Sequence, residues 1–297
     1  MRYGISTHLY YDRRLAPEHL AELAEFGFRE IELFATLGHF DYGDPSAVEA
    51  LGRWLADARL SLHSVHAPIV DRIENGRWGR MLSTASADET ARRQAVAECL
   101  AALEIARTIP FRFLVVHLGV PDALSSGDGD NSAAAARRSL EELTAAASSL
   151  GVQAAVEVIP NALSTPDRLV QLIEDELDLP AAAVGICLDM GHAAIMGDLA
   201  DAVDIVSGEM VTTHVHDNRG RRDDHLVPFD GRIDWATGLM SLQKVGYDGA
   251  LVFELASGPT PRESLEKTAI ARQRFDSILA SAFALRASAD KPELPEP

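Results

Sequence analysis

Apolar residues fall along the chain in two alternating registers. Short β-like runs, some of them nearly all apolar, occur at Tyr3–Thr7, Glu30–Phe34, Leu60–His66, Phe111–His117, Val152–Val158, Val184–Leu188, Met210–Val215 and Ala250–Leu255. Runs of this length bounded by turn residues predict strands, and the most apolar of them predict strands buried on both faces, as in a parallel sheet. Between them the apolar positions recur at helical spacing. Pro17–Phe26 puts Leu20, Leu23, Ala24 and Phe26 on one face behind a first-turn proline, and Gly27 stops it. Pro45–Arg59, Ala87–Thr108, Ser132–Leu150, Thr165–Glu176, Asp198–Val206, Ile233–Val245 and Pro261–Leu285 are also predicted as helices. Strand and helix thus alternate eight times, which predicts an α/β fold with a parallel sheet. Eight units at even spacing predict closure into a single (β/α)8 TIM barrel with its active site at the C-terminal ends of the strands. An open doubly wound sheet is the alternative, but no glycine-rich phosphate fingerprint follows the first strand. One domain is expected over 1–286, with a flexible, charged and proline-containing C-terminal tail over 287–297. The segments 35–44, 67–86 and 119–131 are read as loops that shape the mouth of the barrel.

Composition narrows the class. At 297 residues the chain could hold two ordinary domains or one barrel of about 250 residues. With 47% hydrophobic and 24% charged residues it has ample material for a core. No stretch approaches the ~20 apolar residues of a membrane span, and the N-terminus runs straight into a strand, so no signal peptide is expected. Cys99 and Cys187 fall in a predicted helix and a predicted strand, as small buried residues rather than a disulfide pair, which fits a cytoplasmic location. Lys plus Arg number 27 against 45 Asp plus Glu, a net charge of −18. That balance disfavours a nucleic-acid partner, although it leaves room for a local basic patch.

The chemistry-bearing residues gather at strand ends. His66 and His117 end the third and fourth strands, and Glu157 lies one residue before the end of the fifth. Asp189 follows the sixth strand with His192 three residues on; His214 lies near the end of the seventh, with Asp223 and His225 in the loop beyond; Glu254 lies near the end of the eighth. A barrel brings all of these to one rim. Each alone has a plainer reading, since a strand-end histidine is commonly structural and a strand-end aspartate commonly caps the next helix. Glu157 and Glu254, however, interrupt apolar runs, and carboxylates are almost never fully buried unpaired. A cation at the mouth would satisfy both, and an imidazole–carboxylate donor set suits zinc, manganese or iron better than calcium. His216, Asp217 and Asn218 are expected to orient the ligands, and His8, His39 and His63 to be structural or pocket-lining. Arg221–Arg222 is read as a solvated loop face, with an anion-holding role as the alternative.

Four motifs in this order, CLDMGHA (187–193), THVHDN (213–218), DDHLVPFDGRIDW (223–235) and GYDGALVFEL (246–255), resemble the xylose-isomerase-like barrel superfamily. That superfamily holds sugar isomerases, ketose 3-epimerases, inosose dehydratases and endonuclease IV, and the resemblance runs from HAP at 66–68 to the end of the eighth strand. By resemblance to the epimerase branch, Glu157, Asp189, His214 and Glu254 hold one divalent metal, and Glu157 and Glu254 also move protons. The same resemblance implies that His192 helps to hold substrate oxygens and that Arg219 binds substrate. By resemblance to the three-zinc endonuclease IV branch, His66, His117, His192, Asp223 and His225 are candidate ligands for additional ions. The basic and aromatic DNA-penetrating loops of that nuclease have no counterpart here; ATLGHFDYGD (35–44) carries no Lys or Arg. The lysine-bearing metal site of true xylose isomerases is also missing, which disfavours aldose isomerisation by hydride shift.

The expected activity is therefore that of a divalent-metal-dependent sugar or polyol isomerase or epimerase, in which two metal-bound glutamates transfer protons next to a carbonyl. His66 and His117 would line the substrate site. The expected partner is a small-molecule sugar or polyol, with no nucleic acid and no membrane, and self-association is left open. The alternative is a zinc-dependent phosphodiesterase of endonuclease IV type; a barrel that only binds a ligand is the third and weakest reading.

Overall fold

The computed structural model describes residues 1–289 apart from 75, 128, 181 and 182. Eight parallel strands close into a barrel in simple chain order. They are β1 (Arg2–Ser6), β2 (Glu30–Phe34), β3 (Ser61–His66), β4 (Phe113–Val116), β5 (Gln153–Glu157), β6 (Val184–Asp189), β7 (Met210–Val215) and β8 (Ala250–Phe253). The expected α/β barrel is thus the fold observed. Outward side chains such as Ile5, Ile31, Leu114, Val156, Leu188 and Phe253 pack under the surrounding helices in the main core. The inward side chains Phe113, Val115, Ala155 and Cys187 form a smaller apolar cluster inside the barrel.

Pleating then decides what stands at the mouth. Side chains alternate faces with a period of two, so the inward phase continues from Ala155 to Glu157, from Cys187 to Asp189, from Thr212 to His214 and from Val115 to His117. Two bulges keep this phase where adjacent strands would otherwise slip. Ile31 pairs with Leu62 but Glu32 pairs with Ser64, and Ile186 pairs with Met210 but Cys187 pairs with Thr212. One extra residue in β3 and one in β7 thereby bring His66 and His214 into step with their neighbours, and Asp189 opposite His214.

The helices are α1 (Pro17–Glu25), α2 (Pro45–Ala58), α3 (Glu89–Leu103), α4 (Ala133–Ser149), α5 (Pro166–Gln171), α6 (Met190–Met196), α7 (Leu199–Val206), α8 (Trp235–Lys244) and α9 (Pro261–Ala289). Three differences from the sequence-based expectation stand out. The short helix α6 starts directly at the end of β6. The loop over 67–86 contains a hairpin in which Ile73–Glu74 pairs with Arg77–Trp78. Helix α9 continues to Ala289, so it takes in 287–289 of the expected tail; 290–297 lie outside the described residues. Both cysteines are buried free thiols. Among the described residues no helix is long and apolar enough to cross a membrane.

Asp217, expected to orient ligands, instead anchors the loop between β7 and α8. Its buried carboxylate accepts from the backbone N–H of Asn218, Phe229, Arg232 and Ile233 and from Trp235 Nε1, at 2.8–3.1 Å. Backbone pairing of Asp217 with Leu226 ties the middle of the loop to the same point. His225 and Phe229 are held at positive φ, 45° and 76°, a conformation that costs about 1–3 kcal/mol per non-glycine residue. Gly231 passes so close that a Cβ there would lie 2.2 Å from Asp217 Oδ1. In Asp217→Asn, the amide nitrogen would face N–H groups that need an acceptor. We expect this variant to lose about 3 kcal/mol or more of stability in urea unfolding; a loss under about 1 kcal/mol would contradict the anchoring role.

Candidate metal centre

The centre is built around one ring nitrogen. His214 Nδ1 lies 3.3 Å from Glu157 Oε1, 3.5 Å from Glu254 Oε2 and 3.8 Å from Asp189 Oδ2. The strand-end residues Glu157, Asp189, His214 and Glu254 are therefore brought together at a single point, all at most 4% exposed. His214 Nδ1 and Glu157 Oε1 are both buried without a hydrogen-bond partner. Orphaned buried polar atoms are costly unless something satisfies them. A nitrogen lone pair and three carboxylate oxygens at these separations are a donor set that fits a small divalent cation.

Asp189 serves two ends. Its Oδ1 accepts from the backbone N–H of His192 at 2.6 Å, capping α6, while Oδ2 lies 3.0 Å from His216 Nε2 and faces the centre. The helix-capping reading of this aspartate is realised through Oδ1, which leaves Oδ2 free to face the centre. The ring of His216 lies over Gly191, where a Cβ would come within 2.1 Å of it. Any larger residue at that position of CLDMGHA would displace the ring.

Two further donor groups flank the centre. His66 Nε2 and His117 Nε2 each lie 3.1 Å from Glu157 Oε2. On the other side, Asp223 Oδ2 lies 3.1 Å from His192 Nε2 and 3.0 Å from His225 Nε2. Every histidine and carboxylate singled out at the strand ends thus reaches the same mouth. Arg219 does not: its side chain is 64% exposed and faces Asp224 at 3.9 Å. The neighbouring Arg221 and Arg222 line the mouth instead.

The electrostatics follow from packing acids and imidazoles together out of water. Burial works to raise the Glu157 carboxyl, but the His214 and His117 rings beside it hold it well below the usual carboxylate range. Burial works to lower His66, yet its hydrogen bond to Glu157 carries it up to about 9. His225 is carried up to about 10 by Asp223 against the same penalty. His214 is held well above its ordinary value, burial being outweighed by the acidic groups around it, Glu32, Glu157 and Glu254 among them.

Glu32 was not legible as a site residue. It is fully buried inside the barrel, accepts from Ser64 Oγ at 2.8 Å, and lies 3.0 Å from His214 Nε2. A proton on Nε2 donated to Glu32 leaves the Nδ1 lone pair aimed at Glu157, Asp189 and Glu254, the arrangement by which carboxylates orient metal-binding histidines.

Comparison with known proteins agrees with this architecture. The xylose isomerase-like TIM barrel family matches residues 20–275, and the chain belongs to that family. Among curated relatives, the uncharacterized protein MJ1311 of Methanocaldococcus jannaschii is 28% identical over 266 residues, covering 86% of this chain and 83% of the relative. The uncharacterized protein y4fM of Sinorhizobium fredii is 28% identical over 250 residues, 78% of each. Among solved structures, a D-tagatose 3-epimerase-like protein superposes with a TM-score of 0.77 at 24% identity, covering 95% of this chain and 99% of the other. An L-ribulose 3-epimerase gives 0.76 at 18% identity over 99% of both chains. The IolI protein with a bound zinc atom gives 0.72 at 17%, over 93% and 98%. At these identities the structural likenesses speak for the fold.

Glu32→Ala tests the orienting role. The variant should keep its fold by circular dichroism and bind zinc about 10–100-fold more weakly in competition with a chromophoric chelator. Unchanged affinity would remove Glu32 from the centre.

Proposed function

We propose that the protein is a divalent-metal-dependent isomerase or epimerase acting on a sugar or polyol. The observation that carries this reading is the convergence of Glu157, Asp189 and Glu254 on His214 Nδ1. Glu157, Asp189, His214 and Glu254 would hold the ion, zinc or manganese by donor type. Bound there, it would supply Lewis acidity that lowers the cost of negative charge on a substrate oxygen beside the reacting carbon.

The rest is the work of the chain's own residues. Glu157 and Glu254 come from β5 and β8, with two strands between them in the ring, so they approach a substrate in the mouth from different sides. One carboxylate takes the proton next to the carbonyl, and the other returns a proton to the opposite face, a general-base contribution of about 10²–10⁴ in rate. His66 and His117 fix the orientation of Glu157 through its Oε2 and present ring edges to substrate oxygens, and His192 does the same from α6. Arg219 is exposed and does not line the mouth, so the substrate-contact role carried over from the epimerase branch has no support from its position.

A second reading has its own observation. The His66–His117–Glu157 group and the His192–Asp223–His225 group are complete on either side of the centre. Three zinc ions in such a row would favour a phosphodiesterase of endonuclease IV type. Elemental analysis separates the two: about one ion per chain supports the isomerase reading, and about three zinc ions the hydrolase reading.

For the proton-transfer roles, wild-type enzyme incubated with ketoses in deuterated water should place deuterium on the carbon next to the carbonyl. Glu157→Gln and Glu254→Gln, with metal still bound, should lose most of this exchange, by about 10²-fold or more. Undiminished exchange in both would sink the assignment.

Metal uptake should also depend on pH in a definite direction. Imidazoles must be neutral to ligate, and His214 is raised well above 6.5, with His66 at about 9. Below those values protons compete with the ion, so affinity should rise as pH rises from 6 to 8 and binding should release protons. Calorimetry in two buffers of different ionisation enthalpy measures this; proton uptake on binding would contradict it.

A further inference from the structure

Beyond the ligand cluster the mouth widens into a second chamber of about 520 Å³. It shares His8, Trp78, Leu124, His192 and Asp223 with the small inner chamber over the cluster, so the two are continuous. The inner chamber holds only about 50 Å³, whereas cavities that take drug-sized ligands run from about 300 to 1,000 Å³. Something larger than the reacting end of a sugar fits here.

The walls narrow its chemistry. Tyr11, Trp78, Pro121, Leu124, Pro160 and Ile195 make them mostly apolar. Trp78 and Leu124 remain 39% and 52% exposed, two of the few large apolar side chains so placed. Apolar surface left open in a concave wall marks a place where another apolar group docks. The hairpin of the 67–86 loop carries Trp78 to this position, and from there aromatic rings lead inward. Trp78 lies edge-on to Tyr11 at 6.1 Å, Tyr11 stacks on His8 at 5.1 Å, and His8 is 4.7 Å from His225 of the cluster. Arg221 and Arg222 also line the chamber. Guanidinium groups stack on ring faces. A free sugar can lay one C–H face on a ring such as Trp78, but its hydroxyls leave Leu124, Pro160 and Ile195 without an apolar partner.

We propose that this chamber takes a flat apolar ring carried by the sugar, so that the substrate is a ring conjugate of a keto sugar, such as an aryl glycoside that bears a ketone on its sugar ring, rather than a free monosaccharide. The sugar half of this inference rests on the reading of the ligand cluster proposed above; the ring half rests on the chamber alone.

The test compares phenyl β-D-glucoside with methyl β-D-glucoside on zinc-loaded protein, by calorimetry and saturation-transfer NMR. The phenyl compound should bind about tenfold more tightly or better, with the strongest transfer to its ring protons. Trp78→Ala and Leu124→Ser should each bring the ratio of affinities close to one. Equal affinities in wild type, no binding of the phenyl compound, or a ratio unchanged in both variants would overturn the proposal. Deuterium exchange next to the carbonyl, measured both in free ketoses and in a keto sugar that carries a phenyl ring, reports on the cluster separately. If exchange fails while the phenyl preference holds and responds to Trp78, the cluster reading falls and the ring chamber stands. If exchange occurs without any phenyl preference, the chamber proposal falls alone.

Discussion

Three carboxylates taken out of water around a single imidazole nitrogen is the constraint on which the rest of this molecule depends. Glu157, Asp189 and Glu254 all lie within 3.8 Å of His214 Nδ1, with Glu32 behind the same ring at 3.0 Å from Nε2. His66, His192 and His214, each held above its ordinary value, stand beside these carboxylates as the balancing charges. Buried carboxylates left without compensation are costly, by several kcal/mol each even after relaxation. Those protonated imidazoles supply the compensation in the absence of an ion, and a divalent cation at His214 Nδ1 would take it over by displacing protons. The buried apolar side chains Phe113, Val115, Ala155 and Cys187 lie beneath the β4–β6 side of the centre and lower the polarity of its surroundings there.

Much of the surrounding structure supports that point. The bulges in β3 and β7 preserve the inward phase of His66 and His214. Asp189 caps α6 with one oxygen and faces the centre with the other, so the helix that carries His192 is positioned by a residue of the centre itself. Asp217 holds the next loop through five N–H donors and so fixes Asp223 and His225, two residues kept apart from any regular element. The strained backbone at His225 is offset by that anchoring. Stability and function are divided between neighbouring positions of one motif, THVHDN: His214 forms the centre, His216 steadies Asp189, and Asp217 and Asn218 hold the loop.

The barrel and most of the mouth were legible because a polar residue that interrupts or ends a fully buried strand needs a buried partner to stay there. Glu157, Asp189, His214 and Glu254 each break or close an apolar run, and the chain order of the strands brings them to one rim. Glu32 was not legible. In EIELF its alternation with Ile31 and Leu33 matches an ordinary half-exposed strand, and only closure of the barrel turns that polar face inward. Helix α6 was missed because seven residues after a strand give too short a period to read. The hairpin at 73–78 was missed because two-residue strands leave no alternation. Position in a motif points to Arg219 ahead of Arg221 and Arg222. In an irregular loop no period fixes the direction of a side chain, and the fold turns Arg219 outward.

The central claim is that the inward phase of four strand ends defines one cation position. Anomalous diffraction from crystals of the zinc-loaded protein, recorded on both sides of the zinc edge, measures that position directly. The account predicts a peak within about 2.0–2.2 Å of His214 Nδ1 and of oxygens from Glu157, Asp189 and Glu254. Ordered zinc elsewhere in the mouth with no peak among these four side chains, or a His214 ring turned away from the peak, would contradict it.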